Sequence, residues 1–219
     1  MVPKIVTEHE RTLTRQAIIK QTKNLIANKQ GIKNIIVDDI ARAVGIAKGS
    51  FYSYFPSKEA CIYEVIANAY ETDLMHLKQI MAEHIPLEVK IEKFINNIFL
   101  GADGIDRHIA PQEYEILLRK LPPEYMIRDE SEAKTTVAGM MEILTLSQVQ
   151  TESLLAMLDC IRNVINAPAL SIEVKEESTQ MLTKTIAAYI KEKSQSPDLF
   201  NASGLSIFPM ENLLWLSGY

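Results

Sequence analysis

The sequence has few of the residues that staple a chain, turn it sharply or anchor it in a membrane. Two cysteines, Cys61 and Cys160, stand about a hundred positions apart among 219 residues. That spacing does not make a disulfide framework, so both are read as reduced thiols in a cytosolic protein, each a small buried hydrophobe. Eight glycines leave little room for many tight hairpins. No stretch approaches 18 uninterrupted apolar residues, so no membrane span is expected. The segment from Met1 to Arg15 is polar and charged, without the apolar core of a signal peptide. His9, His76, His84 and His108 are scattered, and none has the i,i+4 spacing of a metal site. No GxGxxG, P-loop or GxSxG motif is present. An enzymatic reading therefore has no catalytic grouping to start from, and no cofactor or metal is expected.

What is present is an ordinary globular balance of 47% hydrophobic and 23% charged residues. The length allows one or two domains. The net charge of −5 is uneven. Residues 1–60 carry 10 Lys/Arg against 5 Asp/Glu, a net of +5, and residues 61–219 carry 13 against 23, a net of −10. A basic head on an acidic body is the asymmetry of a module that faces nucleic acid.

Apolar residues recur at spacings of three and four along the chain, which predicts an all-α fold. Ile18, Thr22, Leu25 and Ile26 share a face of the first helix. Thr7 with Glu10 fits a capping box at its start, with Thr12 and Thr14 as other candidates. It ends before Gly31. Val37, Ile40, Ala41 and Val44 make a short second helix, followed by Gly45 as a turn residue. A third short helix is expected over residues 48–54, stopped by Pro56. Ser57 caps a long helix to about His84, bearing Ile66, Tyr70, Leu74, Leu77 and Met81. Further helices carry Ile91, Phe94, Ile98 and Ala102, then begin at Pro111 and end at Pro122-Pro123. Others cover residues 131–146 and 151–166, and the last starts at a Ser171 cap. Residues 194–219 break the periodicity yet stay apolar, and the stretch 208–215 is expected to dock on the body or on a second subunit.

Two short helices joined by a glycine turn fit a helix-turn-helix, whose second helix enters the major groove of DNA. Ile40, Val44, Ile46, Phe51 and Phe55 suit the small core behind it. Lys48 can donate to guanine or to a phosphate, Ser50 can reach either, and Ala47 can touch a thymine methyl. Gly49, lacking a side chain, lets the backbone approach closely. Lys58 and Arg15 stand where phosphates would be met. Similar helix pairs occur in many all-α proteins, so geometry alone does not decide.

The run Val37-Asp38-Asp39-Ile40-Ala41, then Gly45, then Lys48-Gly49-Ser50-Phe51-Tyr52-Ser53-Tyr54-Phe55, then Ser57-Lys58-Glu59 resembles the TetR family of bacterial transcriptional regulators. The resemblance covers about residues 14–66. It implies that Lys48, Ser50 and Tyr52 face DNA, that Tyr54 and Lys58 meet phosphates, and that the chain is a homodimer. One position departs: Ile36 stands where the family usually has a threonine that caps the second helix and contacts phosphate.

The resulting expectation is a helix-turn-helix DNA-binding domain over residues 1–57. A long helix joins it to a larger helical effector-binding and dimerisation domain over residues 58–219. As a homodimeric repressor it would bind a palindromic double-stranded operator and leave it on binding an unknown small-molecule effector. The alternative is a TetR-like DNA-binding protein without a small-molecule ligand, controlled by a protein partner or acting in chromosome organisation. Phe94, Phe99, Arg107, Tyr114, Tyr125, Met140 and Met141 are the candidate effector-pocket residues. The acidic excess of the body fits a cationic effector better than an anionic one, and equally fits a solvated surface that aids solubility. Leu154, Leu158, Ile161 and Ile165 on one helix, with Met181, Thr185 and Tyr189 on the last, are the candidate dimer interface.

Overall fold

The structure, a computed structural model, describes residues 7–29, 31–101 and 104–195. The described residues form helices and turns without strands. Helix α1 (Glu8–Lys29) begins in a capping box. The Glu10 amide donates to the Thr7 hydroxyl at 3.2 Å, and the Thr7 amide donates back to the Glu10 carboxylate at 2.9 Å. Helix α2 (Val37–Val44) starts after Ile36, which supplies no side-chain cap. It ends at Gly45 with φ +78°, whose amide bonds the carbonyls of Ala41 and Arg42. Glycine takes that conformation without the steric cost a side chain would bring.

Helix α3 (Lys48–Phe51) is a single regular turn that continues as hydrogen-bonded turns through Phe55. It is thus shorter than the expected residues 48–54, because Pro56 and the tight return to α4 leave no room for a second regular turn. Ser57 accepts from the Ala60 amide at 3.0 Å and caps α4 (Lys58–Met81). At about 1.5 Å per residue, the 24 residues of α4 span roughly 36 Å.

The body comprises α5 (Leu87–Phe99), α6 (Pro111–Arg119), α7 (Pro123–Leu144), α8 (Gln148–Asn166) and α9 (Ile172–Gln195). Two starts differ from expectation. Helix α7 begins at Pro123 rather than near residue 131, since proline at the first helical position gives up an amide that has no partner there anyway. Helix α8 begins before Thr151. Ser147 caps it in a full capping box with Gln150, and the Thr151 hydroxyl donates back to the Ser147 carbonyl.

Two apolar cores follow from this arrangement. One joins Ile18, Ile26, Ile40, Phe51 and Phe55 to the first half of α4 and to Tyr114, Leu117 and Leu118 of α6. The core of the head therefore does not close at residue 57. The other is made by the second half of α4 with α5, α7, α8 and α9. Cys61 is buried in the first, where burial pushes its thiol up to about 11, and its sulfur lies 3.4 Å from the Thr22 hydroxyl. Cys160 is exposed on α8, against the expectation that both cysteines are interior. The expected docking segment 208–215, and Ala102, lie outside the described residues. Among the described residues no helix is long and apolar enough to cross a membrane.

Candidate nucleic-acid interface and body cavity

Phe51 is the pivot of the head. Its side chain is 0% exposed, with its ring edge-on to Tyr52 at 5.5 Å and tilted against Phe55 at 5.8 Å. This pins one side of α3 to the core and turns the other outward. Ala47, Lys48, Gly49 and Ser50 are all exposed, and Tyr52 is 50% exposed. A Cβ placed on Gly49 would meet nothing of the chain within 4 Å. The fold therefore does not require glycine there.

Lys48 Nζ lies 2.9 Å from Asp38 Oδ2, and that hydrogen bond raises the lysine pKa. Both groups are about half exposed to water, where such a pair is weak and can exchange for a phosphate. Tyr54 is half-buried, and the Arg11 guanidinium lies 5.9 Å from its ring centre while donating to the Ser53 carbonyl at 3.0 Å. Arg11 is thus a cation on the α3 side of the head that sequence reasoning missed. Its position four residues before Arg15, on the same face of α1, was the available signal.

Two expected phosphate contacts are already engaged within the chain. Lys58 Nζ donates to the Ile35 carbonyl at 2.8 Å, tying the start of α4 to the segment before α2. Arg15 pairs with Glu64 at 3.2 Å and lies 4.8 Å over the Phe55 ring. Burial alone would raise Glu64, yet hydrogen bonds from Arg128 and Arg15 hold it below the usual carboxylate range. Arg128 on α7 also binds Glu132, which accepts from the Tyr63 hydroxyl at 2.9 Å. A chain of charges therefore runs from the body to the helix behind α3.

The body contains a cavity of about 670 Å³, counting its open mouth. Phe94, Phe99 and Met140, three of the candidate effector-pocket residues, line it. Four other expected residues lie elsewhere. Arg107 is exposed and donates to the Leu100 carbonyl, and Tyr125 packs edge-on to Tyr63 at 5.2 Å. The Tyr114 hydroxyl donates to Asp129, whose carboxyl burial pushes up to about 6. Met141, one position round α7 from Met140, does not line the cavity.

The polar wall went unforeseen. Arg162 Nε donates to Asp106 at 2.8 Å, and its Nη1 lies 3.4 Å from Asp159. Asp73 of α4 also faces the space.

The expected dimer residues divide. Leu154, Leu158 and Ile161 are buried in the chain's own core, so they keep no apolar surface for a partner. Ile165 and Tyr189 are half-buried and pack on that same core. Met181, 65% exposed, and Thr185 remain on the outer face of α9. The apolar stripes of α8 and α9 thus serve mainly to hold the body together.

A pinned short helix with an uncovered basic and polar face, carried on a helical body, defines a helix-turn-helix protein of the DNA-binding class. Residues 18–65 match the family described as bacterial regulatory proteins, tetR family. The chain thus carries the DNA-binding domain of the tetR family. The HTH-type transcriptional regulator EthR of Mycolicibacterium smegmatis is 40% identical over 52 residues, which are 24% of each chain. The matched stretch is about a quarter of that relative's length. Similarity of fold extends much further. A tetR-family transcriptional regulator from Streptomyces coelicolor superposes with a TM-score of 0.55 at 17% identity, over 84% of this chain and 82% of that one. A tetR-family protein from Mesorhizobium loti MAFF303099 gives 0.57 at 13% identity, over 83% and 96%.

Proposed function

We propose that the protein is a cytoplasmic transcriptional repressor. It binds a palindromic operator as a homodimer and leaves it when a small molecule fills the body cavity. The observation that carries this reading is the division of α3. Phe51 is fully enclosed, whereas Ala47, Lys48, Gly49, Ser50 and Tyr52 on the same short stretch are uncovered. A hydrophobe that fixes a helix while its polar face stays in water suits a surface built for a groove.

Dimerisation would bring two heads to one duplex, each reading a half-site related by the molecular dyad. The outer faces of α8 and α9 are the surface we assign to it. Val174, Met181 and Thr185 are exposed along α9, and Ala156 and Cys160 along α8. Replacing both Met181 and Thr185 with glutamate is expected to give monomers in sedimentation at micromolar concentration. A tight dimer from that variant would remove the assignment.

Effector action requires a ligand that prefers the conformation unfit for DNA. Helix α4 offers the route, since its first half belongs to the core of the head and its second half carries cavity residues. Footprinting the full chain on DNA flanking its own gene tests the reading. Two protected half-sites related by a dyad are expected. A single protected site, or none at low salt, would contradict it.

A further inference from the structure

We propose that the body cavity accepts an organic cation: an amine or ammonium on an apolar, preferably aromatic body, with Asp73 as its counter-charge. This rests on reading the cavity as the effector site, and it names the chemistry of the effector.

The charge inventory of the wall comes first. Among the described residues three carboxylates, Asp73, Asp106 and Asp159, line the space with one cation, Arg162. Arg162 is committed to both Asp106 and Asp159, and Asp106 is almost fully enclosed. Among the described residues Asp73 makes no hydrogen bond and no ion pair. Among the described lining residues one carboxylate is thus left without a hydrogen-bond or ion-pair partner, with Lys23 of α1 acting on it only at longer range, and no cation is left to receive an anion. An anionic ligand would have to displace Asp106 or Asp159 from Arg162 while facing the remaining carboxylates. A neutral ligand would strip water from Asp73 and return at most a hydrogen bond, with no charge to offset the carboxylate. A cation supplies the missing partner.

The rest of the wall fits the remainder of such a ligand. Leu74, Ile98 and Met140 offer apolar contact, and Phe94 and Phe99 add aromatic rings to the lining. Asp73 also sits on α4, the helix shared with the head.

Its electrostatics agree. Burial first and the neighbouring Asp106 second push the Asp73 carboxyl up to about 7, against the opposing charge of Lys23 on α1. The charged groups facing it are Asp106, Asp159 and Arg162 across the cavity and Lys23 from α1, with Tyr70 beside it on α4. An ammonium would favour the ionised form, so its binding should strengthen as pH rises through 7.

The test uses the purified full chain and three probes of one shape: 4-phenylbutylammonium, 4-phenylbutanol and 4-phenylbutyrate, titrated by calorimetry. The amine is expected to bind at least tenfold more tightly than the alcohol, and the acid more weakly still. Asp73→Asn should cost the amine at least tenfold and leave the alcohol bound no more weakly than before. From pH 8 to pH 6 the amine should weaken about tenfold and the alcohol should not. Loss of an uncompensated carboxylate should raise the melting temperature of Asp73→Asn at pH 8, so a folding defect would not be mistaken for loss of the site. Equal or tighter binding of the alcohol or the acid, an unaltered amine affinity in Asp73→Asn, or no binding of any probe would overturn the proposal. A second arm measures the hold on DNA flanking the gene. An amine that binds as described without loosening DNA would leave the ligand class standing and refute effector release. An alcohol or acid that binds best and releases DNA would do the reverse.

Discussion

A Phe51→Ala chain is expected to lose about 3–5 kcal/mol of folding free energy and, with it, DNA binding. The side chain is fully enclosed among the rings of Tyr52 and Phe55, and α3 has only one regular turn of its own to rely on. A helix that short has no independent stability, because nucleation costs more than one turn of hydrogen bonds returns. Its conformation is held by this one buried ring. The loss is a large share of the roughly 5–15 kcal/mol that keeps a domain folded. It should also be local. Hydrogen exchange is expected to accelerate in α1, α2 and α3, while amides of α5, α8 and α9, which belong to the second core, stay protected. Phe51→Leu should cost much less and retain DNA binding. Unchanged exchange in the head of Phe51→Ala would show that α3 is fixed by something else.

Arg162→Met is expected to destabilise the body by a similar amount, about 3–5 kcal/mol. Its guanidinium bonds Asp106 at 2.8 Å and lies 3.4 Å from Asp159, with little of the arginine in water. Methionine fills much of the same volume, so the cost is electrostatic rather than a void. It leaves Asp106 buried without its partner, near Asp73, whose own carboxyl is already pushed up to about 7. The sign of the pH dependence follows. A carboxylate left unpaired in the folded body has its pKa raised above the unfolded value. Its penalty is therefore full at high pH and fades as pH falls through the folded pKa. Thermal melts of Arg162→Met should thus approach those of the parent chain on acidification. Adding Asp106→Asn should restore part of the loss at pH 8. A variant as stable as the parent at pH 8 would mean that the triad contributes nothing to holding the cavity wall.

The head was far more legible in the sequence than the cavity, and the reason is the range of the interactions. The Thr7–Glu10 cap, the positive φ at Gly45 and the Ser57 cap are settled within four or five residues of chain. The missing cap at Ile36 was visible for the same reason. The starts of α7 and α8 were misplaced where two local signals competed. Pro122-Pro123 can close one helix or open the next, and Ser147 with Gln150 competes with Thr151 and Glu152.

The cavity is different. Asp73, Asp106 and Arg162 come from α4, a turn and α8, and no periodicity marks residues 56 positions apart as partners. Phe94, Phe99 and Met140 were reachable because large apolar side chains in the body must go inside. Which of them border a space rather than a neighbour depends on helix rotation, as the contrast of Met140 with Met141 shows. The buried part of the candidate dimer stripe is a related case. Leu154, Leu158 and Ile161 make an apolar face that fits a partner or the chain itself, and here the chain takes it.

The most direct test of the DNA-binding face is an equilibrium titration of the full chain and its Lys48→Ala variant. The ligand is a labelled duplex from the DNA flanking its own gene, and salt is varied from about 50 to 200 mM. The parent chain should bind at low salt, with log affinity falling linearly against log salt. Lys48→Ala should melt like the parent yet bind more weakly. Its salt slope should be shallower by about one if the lysine meets a phosphate. If it meets a base, the variant should lose about 1–3 kcal/mol of discrimination at one position. No binding by the parent at the lowest salt, or binding by Lys48→Ala indistinguishable from it, would contradict the assignment of α3 to the groove.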